Sequence, residues 1–249
     1  MRRPVLLPPL VACLAACLVL ASCGGSGGSS SPTTPPSSPP AAERSFDFAQ
    51  GNGGWLWAHA DYSPQTAPPD VITEIRTLPA PSTGSGFFSS GTNRSDDLFI
   101  YIKTKISGLS AGTRYRVAAE IQFLTDAPSG CVGVGGAPGE SVWIVAAVST
   151  AEPVTVFNGS DYRVNLDRGN QSQSGRDGIV LGDIANGVTD CSARRWEPKT
   201  LATPSASPLI VQADERGEAW FLAGFDSGFE ALSRIYYRRI TVRLVPLAP

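Results

Sequence analysis

The sequence predicts an all-β fold, an antiparallel jelly-roll β-sandwich, and three observations lead there. Apolar and polar residues alternate with a period of two over several stretches. No segment sustains a 3.6-residue period, and clusters of Gly, Pro, Asn and Ser separate the stretches at short intervals. Strands that follow one another without interposed helices pair antiparallel and pack sheet on sheet, whereas a parallel sheet needs helical crossovers.

The first 42 residues stand outside this pattern. Met1-Arg2-Arg3 precedes a run of twelve apolar residues, Leu10 to Ala21. A bilayer core needs about 20, so the run reads as a secretory signal rather than a membrane-spanning helix. Leu20-Ala21-Ser22-Cys23 resembles the lipobox of bacterial lipoproteins, in which the signal is cut before the cysteine. That resemblance implies a signal peptide over residues 1–22 and a Cys23 that carries palmitate-type acyl chains, with membrane lipid as its partner. It also implies a place in the bacterial cell envelope, facing the periplasm or the cell exterior. An ordinary signal with an incidental cysteine is the alternative. From Gly24 to Ala42 every residue is Gly, Ser, Pro, Thr or Ala, which builds no core. Residues 23–42 therefore read as a disordered tether reaching about 25 Å as a coil and up to about 60 Å as polyproline II.

Residues 43–249 remain as a single β domain. The strands expected are 45–49 (SFDFA), 55–59 (WLWAH), 98–106 (LFIYIKTKI), 114–123 (RYRVAAEIQF), 142–149 (VWIVAAVS), 153–157, 207–212, 219–225 and 235–245. In 98–106, Leu98, Ile100, Ile102 and Ile106 share the buried face and Tyr101, Lys103 and Lys105 point to solvent. In 114–123, Tyr115, Val117, Ala119, Ile121 and Phe123 face inward. Residues 161–191 read as a long loop holding one short strand near Ile179, and 197–208 as a spacer.

Cysteine use fits an exported chain. Cys13 and Cys17 leave with the signal and Cys23 is taken by lipid, so Cys131 and Cys191 form the candidate disulfide, with two buried thiols as the alternative. A loop of roughly 60 residues closed this way is worth about 4 kcal/mol by chain entropy. Cys131 opens the glycine-rich CVGVGGAPGESVWI. A dinucleotide loop would need glycine where Pro138 stands and a helix where a strand-like run follows, so 131–141 reads as a connection between strands.

Chemistry is sparse. The formal charge of −2 and the absence of a basic stripe exclude a nucleic-acid surface. His59 is the sole histidine, and the Gly-x-Ser-x-Gly at Gly24 to Gly28 lies in the tether, so a Ser-His-Asp hydrolase has no support. Zinc lacks ligands. The Gly-rich segment carrying Asp167, Asn170, Asp177 and Asp183 could hold a structural calcium ion, the one cofactor the sequence suggests. Glu120, Glu140 and Glu218 are the candidates for a carboxylate pair of glycoside hydrolysis, and none alternates with a second acid on one strand face.

Three stretches resemble jelly-roll carbohydrate-binding modules of the galactose-binding type. These are Phe46-Asp47-Phe48 with Gly51-Asn52-Gly53-Gly54-Trp55, then Gly108-Leu109 through Gly112-Thr113 with Tyr115 and Val117, and the closing strand Ile235 to Leu244. The resemblance implies a sugar-binding sandwich. It departs at the closing strand, where such modules commonly carry a calcium-binding aspartate and this chain reads Tyr237-Arg238-Arg239-Ile240. The whole chain resembles tethered bacterial lipoproteins, which brings no activity with it. Sugar binding needs aromatic faces and polar groups, and Trp55, Trp57 and Tyr62 with Asp61, Arg94 and Asp96 could supply them. Trp55 and Trp57 are equally core candidates, and Trp196, in the polar run Arg194-Arg195-Trp196-Glu197, reads as the more exposed aromatic. The function expected is thus a non-catalytic, tethered sandwich that binds a glycan. The alternatives are an assembly lipoprotein contacting another envelope protein and, third, a glycan hydrolase.

Overall fold

Two antiparallel sheets face each other in the computed structural model, which describes residues 39–95, 97–205 and 209–248. The signal segment, Cys23, most of the tether and Asp96 lie outside the described residues. The strands are β1 (Ala42–Asp47), β2 (Leu56–Ala60), β3 (Ile72–Thr77), β4 (Ser85–Thr92), β5 (Leu98–Ile106), β6 (Arg114–Thr125), β7 (Val142–Ser149) and β8 (Thr155–Phe157). They continue with β9 (Tyr162–Val164), β10 (Gly169–Asn170), β11 (Gln173–Ser174), β12 (Gly178–Asp183), β13 (Glu197–Ala202), β14 (Leu209–Gln212), β15 (Ala219–Ser227) and β16 (Leu232–Pro246). A 3-10 turn, Phe48–Gln50, follows β1.

The seven-stranded sheet is centred on β6 and β16. β13 and β14 share the free edge of β6, β4 and β1 share that of β16, and β3 lies outermost against β4. The five-stranded sheet runs β12-β7-β15-β5-β2. Strands β4 to β7 alternate between the two sheets, as do β15 and β16, so each connection crosses an end of the sandwich in the manner of a jelly roll.

The alternation in β6 comes out as expected: Tyr115, Val117, Ala119, Ile121 and Phe123 all point into the core. In β16 the inward phase slips once, Ile235 and Tyr237 before and Ile240, Val242 and Leu244 after, because a bulge at Arg238 adds one unpaired residue between Tyr237 and Arg239. Arg239 then reaches Asp47, its Nη2 donating to Oδ2 at 2.6 Å, and this holds the Asp47 carboxyl below the usual range. Edge-to-face rings, Phe46 and Phe48 against Trp55 and Phe48 against Phe87, close one end of the core.

Several expectations need correction. β3, β4 and β13 were unforeseen, and 197–202, expected as a spacer, pairs residue for residue with β6. β5 is no half-buried strand: Tyr101 is 0% and Lys103 6% exposed, and only Lys105 is open. The reason is that the chain between β7 and β12 folds back over the outer face of the five-stranded sheet. A second core forms there from Ala60, Phe99, Tyr101, Val145, Ala147 and Leu222 beneath Val164 and Leu166. Polar latches hold this cover: Lys103 Nζ donates to Glu152 Oε1 at 2.7 Å and to the Pro153 carbonyl, and the Tyr101 hydroxyl meets Thr155 Oγ1 at 3.0 Å. Residues 161–191, expected to be loop around one strand, thus hold β9, the β10–β11 hairpin and β12.

Cys131 and Cys191 are bonded, and the glycine-rich stretch is the β6–β7 connection. Its glycines serve close approach: a Cβ on Gly133 would lie 2.4 Å from the Phe229 ring.

Candidate functional site

The site grows from the end of β2. Leu56, Trp57 and His59 lie on an edge strand, and Trp57 and His59, two residues apart, share its outer face with their rings stacked at 6.3 Å. At Asp61 the backbone turns with φ +65°, a left-handed conformation that aspartate tolerates better than most residues. That turn sends the Asp61 carboxylate inward and lets Tyr62 pair with Tyr162 of β9. His59 stacks on Tyr62 at 4.9 Å, Tyr62 on Tyr162 at 4.9 Å, and Phe157 tilts against Tyr162 at 5.1 Å. The result is a continuous row of five rings, Trp57-His59-Tyr62-Tyr162-Phe157, whose two ends are 44% and 51% exposed. Burial keeps the His59 imidazole below its ordinary pKa and, with Tyr162 adding to it, the Tyr62 phenol above.

Beside this row lies an ionic cluster. Arg168 of the cover, buried over the Phe99 ring at 4.1 Å, donates to Asp61 and, at 2.5 Å, to Asp226 of β15. The Gln171 backbone N–H donates to the same Asp226 oxygen. Arg163 on β9 bridges Asp97 at 2.8 Å and Asp61 at 3.2 Å, and reaches Asp161 at 3.9 Å. Two polar hollows flank Arg163. One of about 260 Å³ is lined by Asp61, Tyr62, Ser63, Asp97, Asp161 and Arg163 among others, and one of about 180 Å³ reaches Leu166 and Arg168. Burial foremost, then the charges of Asp226 and Asp61, push the Asp97 carboxyl up to about 7 against the pull of the two arginines. Burial likewise raises Asp226.

No family model matches the chain, and no curated protein matches it in sequence. Solved structures similar to it include a carbohydrate-binding module studied for the promiscuous specificity of the β-sandwich superfamily. That module is 14% identical, covering 78% of this chain and 58% of the other at a TM-score of 0.38, so the chain spans little more than half of it. A carbohydrate-binding module with specific mannan recognition is 7% identical over 82% of this chain and 98% of its own, with a TM-score of 0.41. The family 11 module of Clostridium thermocellum, in complex with a β-1,3-1,4-mixed-linked tetrasaccharide, is 13% identical over 80% and 94%, with a TM-score of 0.36. What the site can do is therefore read from its own residues.

Of the residues the sequence singled out, Trp57, Tyr62 and Asp61 come together here. Trp55 does not: it lies just before β2, 2% exposed, packed in the core against Phe46, Phe48 and Phe221. The expectation that Trp196 is the more exposed aromatic holds against Trp55 but not against Trp57, because Trp196 is half-buried, with its ring against Tyr236 at 5.0 Å and Arg234 over it at 5.2 Å. It lines a separate cleft of about 480 Å³ with Arg194, Arg195, Ala80 and Pro81. Arg94 is exposed on the β4–β5 turn, and Asp96 lies outside the described residues.

The calcium set does not converge. Asp167 and Asp177 remain neighbours, but Asp167 accepts from the Gly169 and Arg176 backbones and Asp177 is paired with Arg176, which holds its carboxyl low. Asp183 is at the far end of β12, bound to Lys199 at 2.7 Å, and Asn170 belongs to the small hairpin. Among the described residues, the acids whose oxygens gather within 4.8 Å are Asp61, Asp97 and Asp226, where the Arg168 guanidinium already takes a cation's place. The hydrolase carboxylates are also dispersed. Glu140 precedes β7 and Glu218 precedes β15, at opposite ends of an antiparallel pair and on the order of 25 Å apart by strand rise, while Glu120 is on the other sheet.

Sequence reasoning missed Tyr162, Phe157, Asp97, Arg163, Arg168 and Asp226. Phe157 and Tyr162 could have been found as the arms of a hairpin around Asn158-Gly159-Ser160-Asp161, a turn signal between two aromatics.

Proposed function

We propose that the protein is a lipid-anchored envelope protein, acylated at Cys23, whose β-sandwich binds a glycan without cleaving it. The observation that carries this reading is the five-ring row bordering a polar hollow. The inner rings of the row stack on one another, and its exposed end rings, Trp57 and Phe157, can meet the C–H surface of a sugar, while Asp97, Asp161 and Arg163 line the hollow to take its hydroxyl groups. Non-catalytic binding fits the carboxylates, since Asp61 and Asp226 are buried and held by Arg168, while Asp97 and Asp161 both face the Arg163 guanidinium. The tether, extending from an acylated Cys23, would let such a site sample sugars clear of the lipid surface.

Isothermal titration of the protein with soluble oligosaccharides tests the reading. Binding in the micromolar-to-millimolar range is expected, lost on Trp57→Ala or Tyr62→Ala with the thermal midpoint preserved; no heat with any saccharide would sink it. A second reading, docking to another envelope protein, is favoured by Val132 and Val134, 99% and 67% exposed on the β6–β7 connection. Crosslinking in intact cells should then yield one specific partner, lost with Val132→Ser and Val134→Ser.

A further inference from the structure

Resting on the reading that Cys23 is acylated, we infer that the outer face of the seven-stranded sheet docks on anionic phospholipid headgroups of the membrane that holds the anchor. The argument starts from where the folded chain meets its tether. β1 enters the sheet at Ala42, paired with Leu244 near the end of β16, so the segment Gly24–Ala42 is all that separates this corner from Cys23. A coil of that length spans about 25 Å, which keeps the corner close to the lipid surface.

What the corner presents is amphipathic. Arg116 of β6 lies in register between Ile210 of β14 and Val245 of β16, and residues directly opposite one another in an antiparallel sheet share a face. Ile210 is 41% and Val245 38% exposed, and the exposed Arg114 and Arg243, one alternation away on either side, complete the patch. In the sequence these arginines are scattered, so no stripe is visible. The pairing of β6 with β16 collects them.

Their charge is uncommitted. Arg114, Arg116 and Arg243 make no ion pair among the described residues. Of the nearby acids, Glu43 stands opposite Arg243 in register without pairing to it, Asp214 beyond β14 accepts from the Arg216 and Glu218 backbones, and Glu215 adjoins Arg216. On a chain of formal charge −2 this patch is a local positive asymmetry. Guanidinium groups take phosphate oxygens in a bidentate fork, and two exposed aliphatic side chains between them suit shallow burial at the headgroup boundary rather than insertion. Such a contact is weak alone. The tether raises the effective concentration to the order of millimolar, so little intrinsic affinity is needed.

Docking by this face also orients the molecule. The cover with Arg163 and its hollow lies on the five-stranded sheet, and is left turned away from the lipid.

The test uses the mature chain from residue 23 with Cys23→Ser, so that only the face can hold it, sedimented with vesicles of phosphatidylcholine alone or mixed about three to one with phosphatidylglycerol. Partition should be at least about tenfold higher onto the mixed vesicles, fall as salt rises, and drop to the neutral-vesicle level in the triple variant Arg114→Gln, Arg116→Gln, Arg243→Gln, with the thermal midpoint unchanged. Ile210→Ser with Val245→Ser should lower it by about two- to fivefold. Equal partition onto the two kinds of vesicle, or a triple variant that binds like its parent, would overturn the inference. So would arginine-dependent binding of a galacturonate hexamer without vesicle binding, which would assign the face to an acidic glycan. The anchor is read separately: the chain with Cys23 intact should stay with bacterial membranes through a high-salt wash, and its release would overturn the acylation reading while the vesicles still decide the face.

Discussion

The outer faces of the two sheets carry the same kind of contact in opposite settings. On the seven-stranded sheet, Arg76 lies 4.4 Å over Phe88, Phe88 meets Tyr236 at 4.7 Å, and Tyr236 meets Trp196 beneath Arg234. The Arg76 side chain is 38% exposed, and water shares its charge. On the five-stranded sheet, Arg168 lies 4.1 Å over Phe99 with its head sealed beneath the cover, 4% exposed, between Asp61 and Asp226. An exposed cation on a ring contributes about 0.5–1 kcal/mol, whereas a buried charge that loses its partner costs several. The geometry of the pair is thus a weaker guide to its weight than what covers it.

Arg168→Met should break the comparison most visibly. It leaves Asp61 and Asp226 buried without their counter-charge, and a loss of about 3–5 kcal/mol in urea unfolding is expected. A loss no greater than that of an exposed arginine would mean that water reaches the covered face.

Next in size is the Cys131–Cys191 disulfide, which spans 60 residues and ties the β6–β7 connection to the loop before β13. Cys131→Ser with Cys191→Ser should cost about 2–4 kcal/mol, and reducing agent should lower the parent protein's thermal midpoint to that of the variant.

A smaller effect separates the faces by pH. Asp97 has a folded pKa of about 7 against an ordinary 3.8, so between those values the folded state holds a proton that the unfolded chain has released. Its contribution to stability is full below about pH 4 and falls away as pH rises to 7. Asp97→Asn should flatten that decline in thermal midpoints measured from pH 4 to 8. The carboxyls of Asp47 and Asp177 run the other way: their pKa values are depressed, so their contribution is present above about pH 4 and lost as pH falls below it. Smallest of all should be Arg76→Ala on the open face, under about 1 kcal/mol by the same urea measurement.

Strand by strand, what was legible followed the solvent. β6 faces the core on one side and the exterior on the other, so its sequence alternates and its inward residues could be named. β4, SGFFSSGT, is buried along nearly its whole length, and small residues there make room for neighbours: a Cβ on Gly91 would sit 2.5 Å from Ile100 Cδ1. No alternation marks such a strand. β3 did alternate, Ile72, Glu74 and Arg76 against Thr73 and Ile75, and was legible though unread. β13, with a proline and exposed every second residue, sits on an edge where composition resembles a linker. In the site, Trp57, Tyr62 and Asp61 were found because they lie within six residues of one another. Arg168 and Asp226 were not, since nothing local ties residues 58 positions apart.

By itself the sequence determined the β-sandwich, the pairing of Cys131 with Cys191 and the inward face of β6, because each is written in short-range periodicity or in elimination among few residues. Only the tertiary structure decided that Trp55 is core and Trp57 surface, that Lys103 and Tyr101 are buried, and that three aspartates and two arginines meet beside a row of rings. The physical reason is the same in each case. Burial of one sheet face depends on where a distant segment of chain lies down, and charge acquires its weight from that burial rather than from the residue that carries it.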